Sequence, residues 1–130
     1  MTENCKKEIT ELHIFFEKWL NGTIPNDDKT LARVNDALSD EFQIISPNAT
    51  ITDKKTLLLN LKKAYGSWTG DKIWIKNIQV RQLHIDLYLA VYEEWQGSEE
   101  KAKGRLSSAL FKEEPNGKMK WLHLHEVWMK

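Results

Sequence analysis

The chain has 130 residues, a length that suits one domain, residues 1–130, with a single hydrophobic core. Its nineteen basic residues balance its nineteen acidic ones without a dense Lys/Arg cluster, so the charge pattern of a nucleic-acid-binding protein is absent. No stretch approaches the roughly 18 apolar residues of a membrane span, and the polar N-terminal segment lacks the apolar run of a signal peptide. The single cysteine, Cys5, cannot form an internal disulfide. Together these features predict a cytoplasmic protein with neither nucleic acid nor membrane as a partner.

The first segment is predicted to form a helix. Apolar residues recur at three- and four-residue spacing from Ile9 to Leu20, and His13 falls on the same stripe. Asn21 and Gly22 follow, and glycine accepts the left-handed conformation that ends many helices. The helix is therefore expected to end there.

Two shorter helices and a hairpin are predicted next. Leu31, Val34 and Leu38 mark the inward side of a second helix. The β-branched residues of "DEFQIISPNATIT" surround a turn at its Pro-Asn-Ala, which indicates a short hairpin. Thr52 or Asp53 then caps a third helix, "KKTLLLNLKKAY".

The second half of the chain is predicted to form four strands with short polar connections. They are "KIWIKNIQVRQL", "DLYLAVYEEWQ", "GRLSSALFKEE" and "KMKWLHLHEVWM". Long strands joined by short connections favour an antiparallel meander. The predicted fold class is therefore α+β, with three N-terminal helices packed in a curved, mainly antiparallel sheet.

Side-chain alternation sorts each strand into two faces. Burying each leucine is worth roughly 1.5–3 kcal/mol, so the leucine-rich faces are expected to meet the helices. The other face mixes aromatic and polar side chains, which suits a subunit interface. We therefore expect a homodimer joined through the following face: Tyr88, Tyr92, Phe111, Trp121, His123 and His125.

Glu93 and Glu126 interrupt the leucine-rich faces, where an ionised carboxylate is costly to bury without a partner. An acid at the mouth of an apolar cavity is a candidate for a functional site. The competing interpretation is that both glutamates lie near strand ends and reach water. The candidate ligand-binding residues are Glu93, Ser108, Glu126, Trp128, His13 and Tyr65.

The C-terminal strand also carries a motif, Gly117-Lys118 followed by Trp121-Leu122-His123-Leu124-His125-Glu126. It resembles the G-K-W-x-x-V-H-x-H pattern of the association domain of calcium/calmodulin-dependent kinase II and related small bacterial domains. The order of elements is similar to the nuclear transport factor two-like superfamily, the cystatin-like cone, which includes polyketide-cyclase-like proteins. This resemblance implies a cone-shaped fold and a homodimer packed sheet to sheet.

Three positions depart from the association-domain pattern. Met119 stands where that pattern has its tryptophan, although Trp121 is close by. Glu126 stands where that family has an arginine lining an anion pocket, and Glu93 aligns with a second such arginine. The resemblance therefore does not carry a carboxylate ligand over to this chain. A small apolar or cationic ligand is expected instead.

These residues favour a small-molecule-binding homodimeric domain of unknown specific role, with an apolar cavity that contains acidic groups. One alternative is an isomerase, dehydratase or cyclase that uses Glu126 or Glu93 as the base and His13 or Tyr65 as the donor. The other is a protein-interaction or assembly domain. No catalytic residue is assigned, and no cofactor is expected. Because His123 and His125 lack a third ligand in the sequence pattern, no metal site is predicted.

Overall fold

The computed structural model describes residues 2–98 and 100–129, and its first half contains three helices. They are α1 (Thr2–Leu20), α2 (Asp28–Ala37) and α3 (Lys54–Ala64). Gly22, with φ of 68°, follows α1. Asp27 caps α2 by accepting from the Thr30 amide, and Asp53 caps α3 by accepting from the Thr56 amide. The described part of the chain contains no helix with both the length and the apolar character needed to span a membrane.

Six strands form one sheet in the order β2-β1-β6-β5-β4-β3. Their ranges are β1 (Leu38–Ile45), β2 (Ile51–Asp53), β3 (Lys72–His84), β4 (Leu87–Gly97), β5 (Lys103–Glu113) and β6 (Met119–Trp128). Strands β3 to β6 form the predicted antiparallel meander, β1 and β2 form the predicted hairpin, and β1 joins β6 in parallel. The predicted α+β cone is confirmed.

The helices cover the face of the sheet that the sequence analysis had placed outside, so the assignment of faces was wrong. Of the residues predicted to form the dimer interface, four lie buried in the core instead: Tyr88, Tyr92, Phe111 and Trp121. Their large rings alternate with small neighbours such as Ala90, Ala109 and Ser107, which are also buried. Large rings bury about 150–250 Å² each, more than a leucine offers, and the small neighbours leave room for them.

A bulge in β6 explains why the face error did not extend to the whole of that strand. Phe111 pairs with Trp121, whereas Leu110 pairs with His123, so Leu122 is the extra residue. Trp121 and Glu126 consequently share the inner face although they are five positions apart, and His123 lies on the outer one. A strict alternation cannot place these side chains together.

Polar side chains fasten α1 to its neighbours around this core. Glu8 accepts two hydrogen bonds from Arg33 of α2, at 3.2 and 2.8 Å, and a third from the Trp121 indole at 2.9 Å. The Trp19 indole donates to the Leu61 carbonyl of α3 at 2.7 Å. The first helix is thus fixed against α2, α3 and the sheet, which determines where His13 points.

Candidate functional site

The inner face of the sheet carries two rows of polar side chains at one end of the cone. Cross-strand pairing aligns Tyr92, Ser107 and Glu126 in one row, on β4, β5 and β6. The next row, toward the ends of the strands, aligns Glu94 and Arg105 with Trp128. His13 of α1 lies against both rows. Together these side chains form one cluster: His13, Tyr92, Glu94, Arg105, Ser107, Glu126 and Trp128. We call it the mouth cluster.

His13 and Glu94 form a buried ion pair within the mouth cluster. His13 Nε2 lies 2.8 Å from Glu94 Oε1, and His13 Nδ1 lies 2.7 Å from the Ile9 carbonyl. Burial lowers the pKa of His13, but the charge and hydrogen bond of Glu94 and the Ile9 carbonyl outweigh it, so the pKa is raised. Burial also acts to raise the pKa of Glu94, yet His13 and Gln96 hold that pKa below its usual value. Both ring nitrogens of His13 face acceptor oxygens, so the imidazolium form satisfies both contacts and the ionised pair is favoured.

Glu126 and Arg105 form the second ion pair of the mouth cluster. Arg105 Nη1 donates to Glu126 Oε1 at 2.9 Å, and the Arg105 guanidinium carbon lies 4.9 Å from the centre of the Trp128 ring. Burial, together with the negative charge of Glu94, raises the pKa of Glu126 to about 7 although Arg105 and His13 oppose the rise. Glu126 is thus the carboxyl in the cluster that changes charge near neutral pH.

Tyr92 and Ser107 are cross-strand neighbours in the same row as Glu126, and both side chains are fully buried. Neither hydroxyl makes a hydrogen bond of ordinary geometry to the rest of the described chain. Burial and the nearby Glu94 and Glu126 raise the pKa of Tyr92 well above its usual value, and Ser107 offsets part of this rise. Tyr92 therefore stays protonated and uncharged.

The mouth cluster combines two carboxylates, an imidazole, a guanidinium and two hydroxyls in a buried setting. Such a set can bind and release protons near neutral pH, because the two carboxylates repel each other's charge. The described residues contain no group of three or more His, Cys, Asp or Glu side chains placed to hold a metal ion. The chemistry that the geometry itself offers is proton exchange.

The six residues proposed from the sequence do not come together in one site. His13 and Glu126 lie in the mouth cluster, and Trp128, half exposed, lies at its rim. Glu93 and Ser108 lie on the opposite face of the sheet, because the face of β4 and β5 was inverted in the sequence analysis. The expected cavity lined by leucines therefore does not form around them.

The surroundings of Glu93 and Tyr65 show what these two side chains do instead. Glu93 accepts hydrogen bonds from Asn77 at 2.6 Å and from the Trp95 indole at 3.0 Å on the outer face. Tyr65 ends α3 and donates through its hydroxyl to the Ile24 carbonyl at 2.6 Å. None of these contacts involves a residue of the mouth cluster.

Sequence analysis missed Glu94 and Arg105, the partners that explain the buried charges. No arginine was expected on the inner face, because Arg105 shares its side of β5 with Ser107 and Phe111, which had been assigned outward. The adjacent pair Glu93-Glu94 carried a usable signal, since one of two consecutive strand residues must point inward. A histidine on the buried stripe of α1 supplied the partner that such an inward acid needs.

Two grooves in the surface are separate from the mouth cluster. A groove of about 1120 Å³ lies between α1, α2 and the β5–β6 turn, and a second of about 570 Å³ adjoins that turn. The larger groove is lined mainly by charged side chains, including Lys7, Arg33 and Lys118. Neither of these two grooves includes a residue of the mouth cluster.

Comparison with known proteins connects this fold to a specific family. The family model for the sucrose-6-phosphate phosphohydrolase C-terminal region matches residues 5–130. The probable sucrose-phosphatase 3a of Arabidopsis thaliana is 24% identical over 130 residues, which covers 97% of this chain and 30% of that protein. Sucrose-phosphatase 1 of Nicotiana tabacum is 22% identical over 128 residues, covering 94% of this chain and 30% of the relative. The chain thus spans about 30% of the length of these curated relatives.

Solved structures bear on the fold alone. A nuclear transport factor two-like protein of unknown function from Pseudomonas aeruginosa superposes with a TM-score of 0.89 at 22% identity, covering 98% of this chain and 99% of its own. The resemblance to the nuclear transport factor two-like superfamily is confirmed.

The function expected from the sequence was wrong. The residues had favoured a small-molecule-binding homodimeric domain with an acidic, apolar cavity, with an isomerase-type enzyme or an assembly domain as alternatives. The match over residues 5–130 overturns that expectation, because it assigns nearly the whole chain to the sucrose-6-phosphate phosphohydrolase C-terminal region. The earlier interpretation followed a cone-shaped fold that many functions share. This chain belongs to the sucrose-6-phosphate phosphohydrolase C-terminal family.

Proposed function

We propose that this domain supports a sucrose-phosphatase: it acts beside a separate catalytic domain that removes phosphate from sucrose 6-phosphate. The carrying observation is the family match over residues 5–130, combined with the 30% share of the relatives' length that it represents. The remaining length of those relatives provides room for a catalytic domain. In this account the present domain stabilises or positions its catalytic partner and does not itself break the phosphate ester.

The paired charges in the interior of the domain support a structural role for it and a catalytic role for a separate domain. The buried charges of the mouth cluster are already paired, His13 with Glu94 and Arg105 with Glu126. A sugar phosphate would have to break one of these pairs to bind there, at the cost of leaving a buried charge without a partner. The interior therefore favours a role in structure over a role in substrate binding.

A chimera tests the proposal. The matching C-terminal segment of the Nicotiana tabacum sucrose-phosphatase 1 is replaced by this chain, and phosphate release from sucrose 6-phosphate is compared among the chimera, the full enzyme and the truncated enzyme. We expect the chimera to be more active or longer-lived than the truncated enzyme, and this chain alone to release no phosphate.

A matched control separates folding from mere length. The Phe111→Ala substitution in the same chimera removes a fully buried ring. The substituted chimera should therefore behave like the truncated enzyme. Hydrolysis by this chain alone would contradict the proposal. So would equal activity and lifetime of the full and truncated enzymes, or a chimera no better than the truncated form.

We further propose that two copies of the chain associate through the outer face of the sheet. This face is now the leucine-bearing one, and Leu106 and Val127 on it are 41% and 44% exposed. Leu89, Val91 and Leu110 extend the apolar stripe across β4 and β5. A two-fold contact requires only one such patch, because each copy presents the same surface to the other.

The pairing register supports a second copy as the occupant. Gln79, Val91, Ser108 and His125 form one row across four strands. A two-fold axis along this row would place Leu106 of one copy over Leu110 of the other.

We propose the cytoplasm as the compartment. The support is the sole cysteine, Cys5, a free and fully buried thiol, since reducing compartments keep cysteines in this form. Imaging a fluorescent fusion of the full-length natural protein tests this, and a signal confined to another compartment would contradict it.

A further inference from the structure

The positive and negative charges of the mouth cluster are equal in number, and the uptake of one proton changes its net charge. Its ionisable members come from four elements: His13 of α1, Glu94 of β4, Arg105 of β5 and Glu126 of β6. With His13 protonated and both carboxylates ionised, two positive and two negative charges cancel. Tyr92, which also belongs to the cluster, stays neutral because burial raises its pKa. The addition of one proton therefore leaves the cluster with a net positive charge in a buried place.

One member of the cluster has a route to water. The side chains of His13, Glu94 and Glu126 are 5%, 6% and 3% exposed, whereas that of Arg105 is 25% exposed. Trp128 lies over the guanidinium at 4.9 Å and is 50% exposed, and Lys103 approaches the same ring at 5.9 Å. Arg105 and Trp128, which pair across β5 and β6, thus form the outer layer of the mouth, and the Arg105 side chain is held inward by its hydrogen bond to Glu126.

We propose that Glu126 and Arg105 form a proton-operated latch: uptake of one proton by the Glu126 carboxylate from solvent releases Arg105, and with it Trp128, from the mouth of the cone. No covalent bond changes in this step; the proton moves from water to a Glu126 oxygen and returns when the pH rises. The proposal is independent of the phosphatase role, since it concerns a motion within this domain.

The electrostatics give the direction of the latch. Protonated Glu126 no longer offers Arg105 a negative charge, while protonated His13 still occupies Glu94 at 2.8 Å. The excess positive charge is then relieved most easily by the cation that already touches water. Because burial and the charge of Glu94 raise the pKa of Glu126 to about 7, the latch would operate near neutral pH. The exposed histidines, such as His125, lie on the opposite face of the sheet.

Fluorine NMR of the whole chain labelled with 5-fluorotryptophan tests the latch. Trp128→Phe identifies the Trp128 resonance among the six tryptophans. The resonance is followed from about pH 8.5 to about pH 5.5 in the parent, in Glu126→Gln and in Glu93→Gln. The last variant is the matched control, because it makes the same chemical change on the outer face of the same sheet.

In the parent and in Glu93→Gln, we expect the Trp128 resonance to move toward a solvent-exposed position as the pH falls through about 7. In Glu126→Gln it should stay at the released position throughout. A Trp128 resonance that does not respond to pH, or one that responds identically in Glu126→Gln, would overturn the latch. If Glu126→Gln does not fold, the parent still decides, because the Trp128 midpoint must match that of the Glu126 carboxyl carbon measured by ¹³C NMR.

Discussion

Glu93 and Glu94 are consecutive residues of one strand with opposite environments. Glu93 lies on the outer face and bonds to Asn77 and the Trp95 indole, which hold its pKa below the usual value. Glu94 is 5% exposed and paired with His13 beneath the helices. The same side chain is thus a surface contact in one case and a member of a buried charge network in the other. Strand parity, rather than residue type, determines which role applies.

The two faces of the sheet extend this contrast. The inner face combines rings with very small residues. It also holds two ion pairs, whose charged groups are buried apart from that of Arg105, which is partly exposed. The outer face carries leucines and valines that are only partly covered, and the indole of Trp95 rests against Gly104 there, where an added Cβ would approach the ring to 2.8 Å. The inner face therefore determines stability, and the outer face is the one available for association.

The largest difference in the free energy of unfolding is expected when one large side chain is truncated on each face. Phe111→Ala removes a fully buried ring that packs 4.4 Å from the Trp121 ring, and it should lower the free energy of unfolding by about 3–5 kcal/mol. Leu110→Ala, one residue earlier on the outer face, should cost much less. Urea denaturation of both variants at low concentration checks this, and equal losses would break the comparison.

A smaller effect is expected from breaking the buried ion pair. Glu94→Ala leaves the His13 charge without its partner, although His13 can release its proton, so we expect a loss of about 2–4 kcal/mol. The matched control, Glu93→Ala, should change stability little because that carboxylate is partly exposed on the outer face, where water can replace it as the partner of Asn77 and Trp95. Thermal unfolding near neutral pH measures both, and a neutral Glu94→Ala would show that the pair contributes nothing.

A charge added to the outer face should weaken the association of two copies without changing the stability of the single chain. Leu106→Glu places a carboxylate at the centre of the proposed contact between copies, where Leu106 is 41% exposed in the single chain. We expect the parent to be dimeric and this variant monomeric at micromolar concentration by light scattering, with a similar melting temperature in dilute solution. A monomeric parent would contradict the proposed dimer.

The titratable groups beneath the inner face should also determine how the stability of the chain depends on pH. Glu126 has a raised pKa in the folded state, so its burial costs stability when it is ionised, and the cost disappears as the pH falls from about 7 toward 4.5. The stabilising contribution of His13, whose pKa is also raised, is complete below 6.5 and is lost as the pH rises through its folded-state value. Glu94, whose pKa is lowered, loses its contribution as the pH falls below 4.5.

These signs predict a maximum in melting temperature between about pH 4.5 and about pH 6.5, with a fall of a few degrees by pH 8. Glu126→Gln should raise the melting temperature at pH 8 and flatten this fall, whereas Glu93→Gln should leave it unchanged. Scanning calorimetry across this range decides the point. A parent that is most stable at pH 8 would contradict the assigned directions.

The sequence was sufficient to predict the order of the helices and strands and most of their ends, although Leu38, which had been assigned to the second helix, begins β1. Period-3.6 stripes, Gly22, Asp53 and the "EPNG" turn are local signals, and local geometry determines those features. The faces of the sheet could not be predicted in the same way. Both sides of β4 are apolar enough for a core, and the bulge at Leu122 has no signal in the sequence. The partners Glu94 and Arg105 were missed as a consequence.

The central claim is that one inner face gathers Glu94 and Glu126 into a single titrating cluster while Glu93 remains outside it. Carboxyl ¹³C NMR of the whole chain, following these three glutamates from acid to alkaline pH, tests that claim most directly. We predict a pKa of about 7 for Glu126 and pKa values below the usual one for Glu93 and Glu94, with Glu126 and Glu94 responding to each other's titration. Three independent titrations at the ordinary glutamate pKa would contradict it.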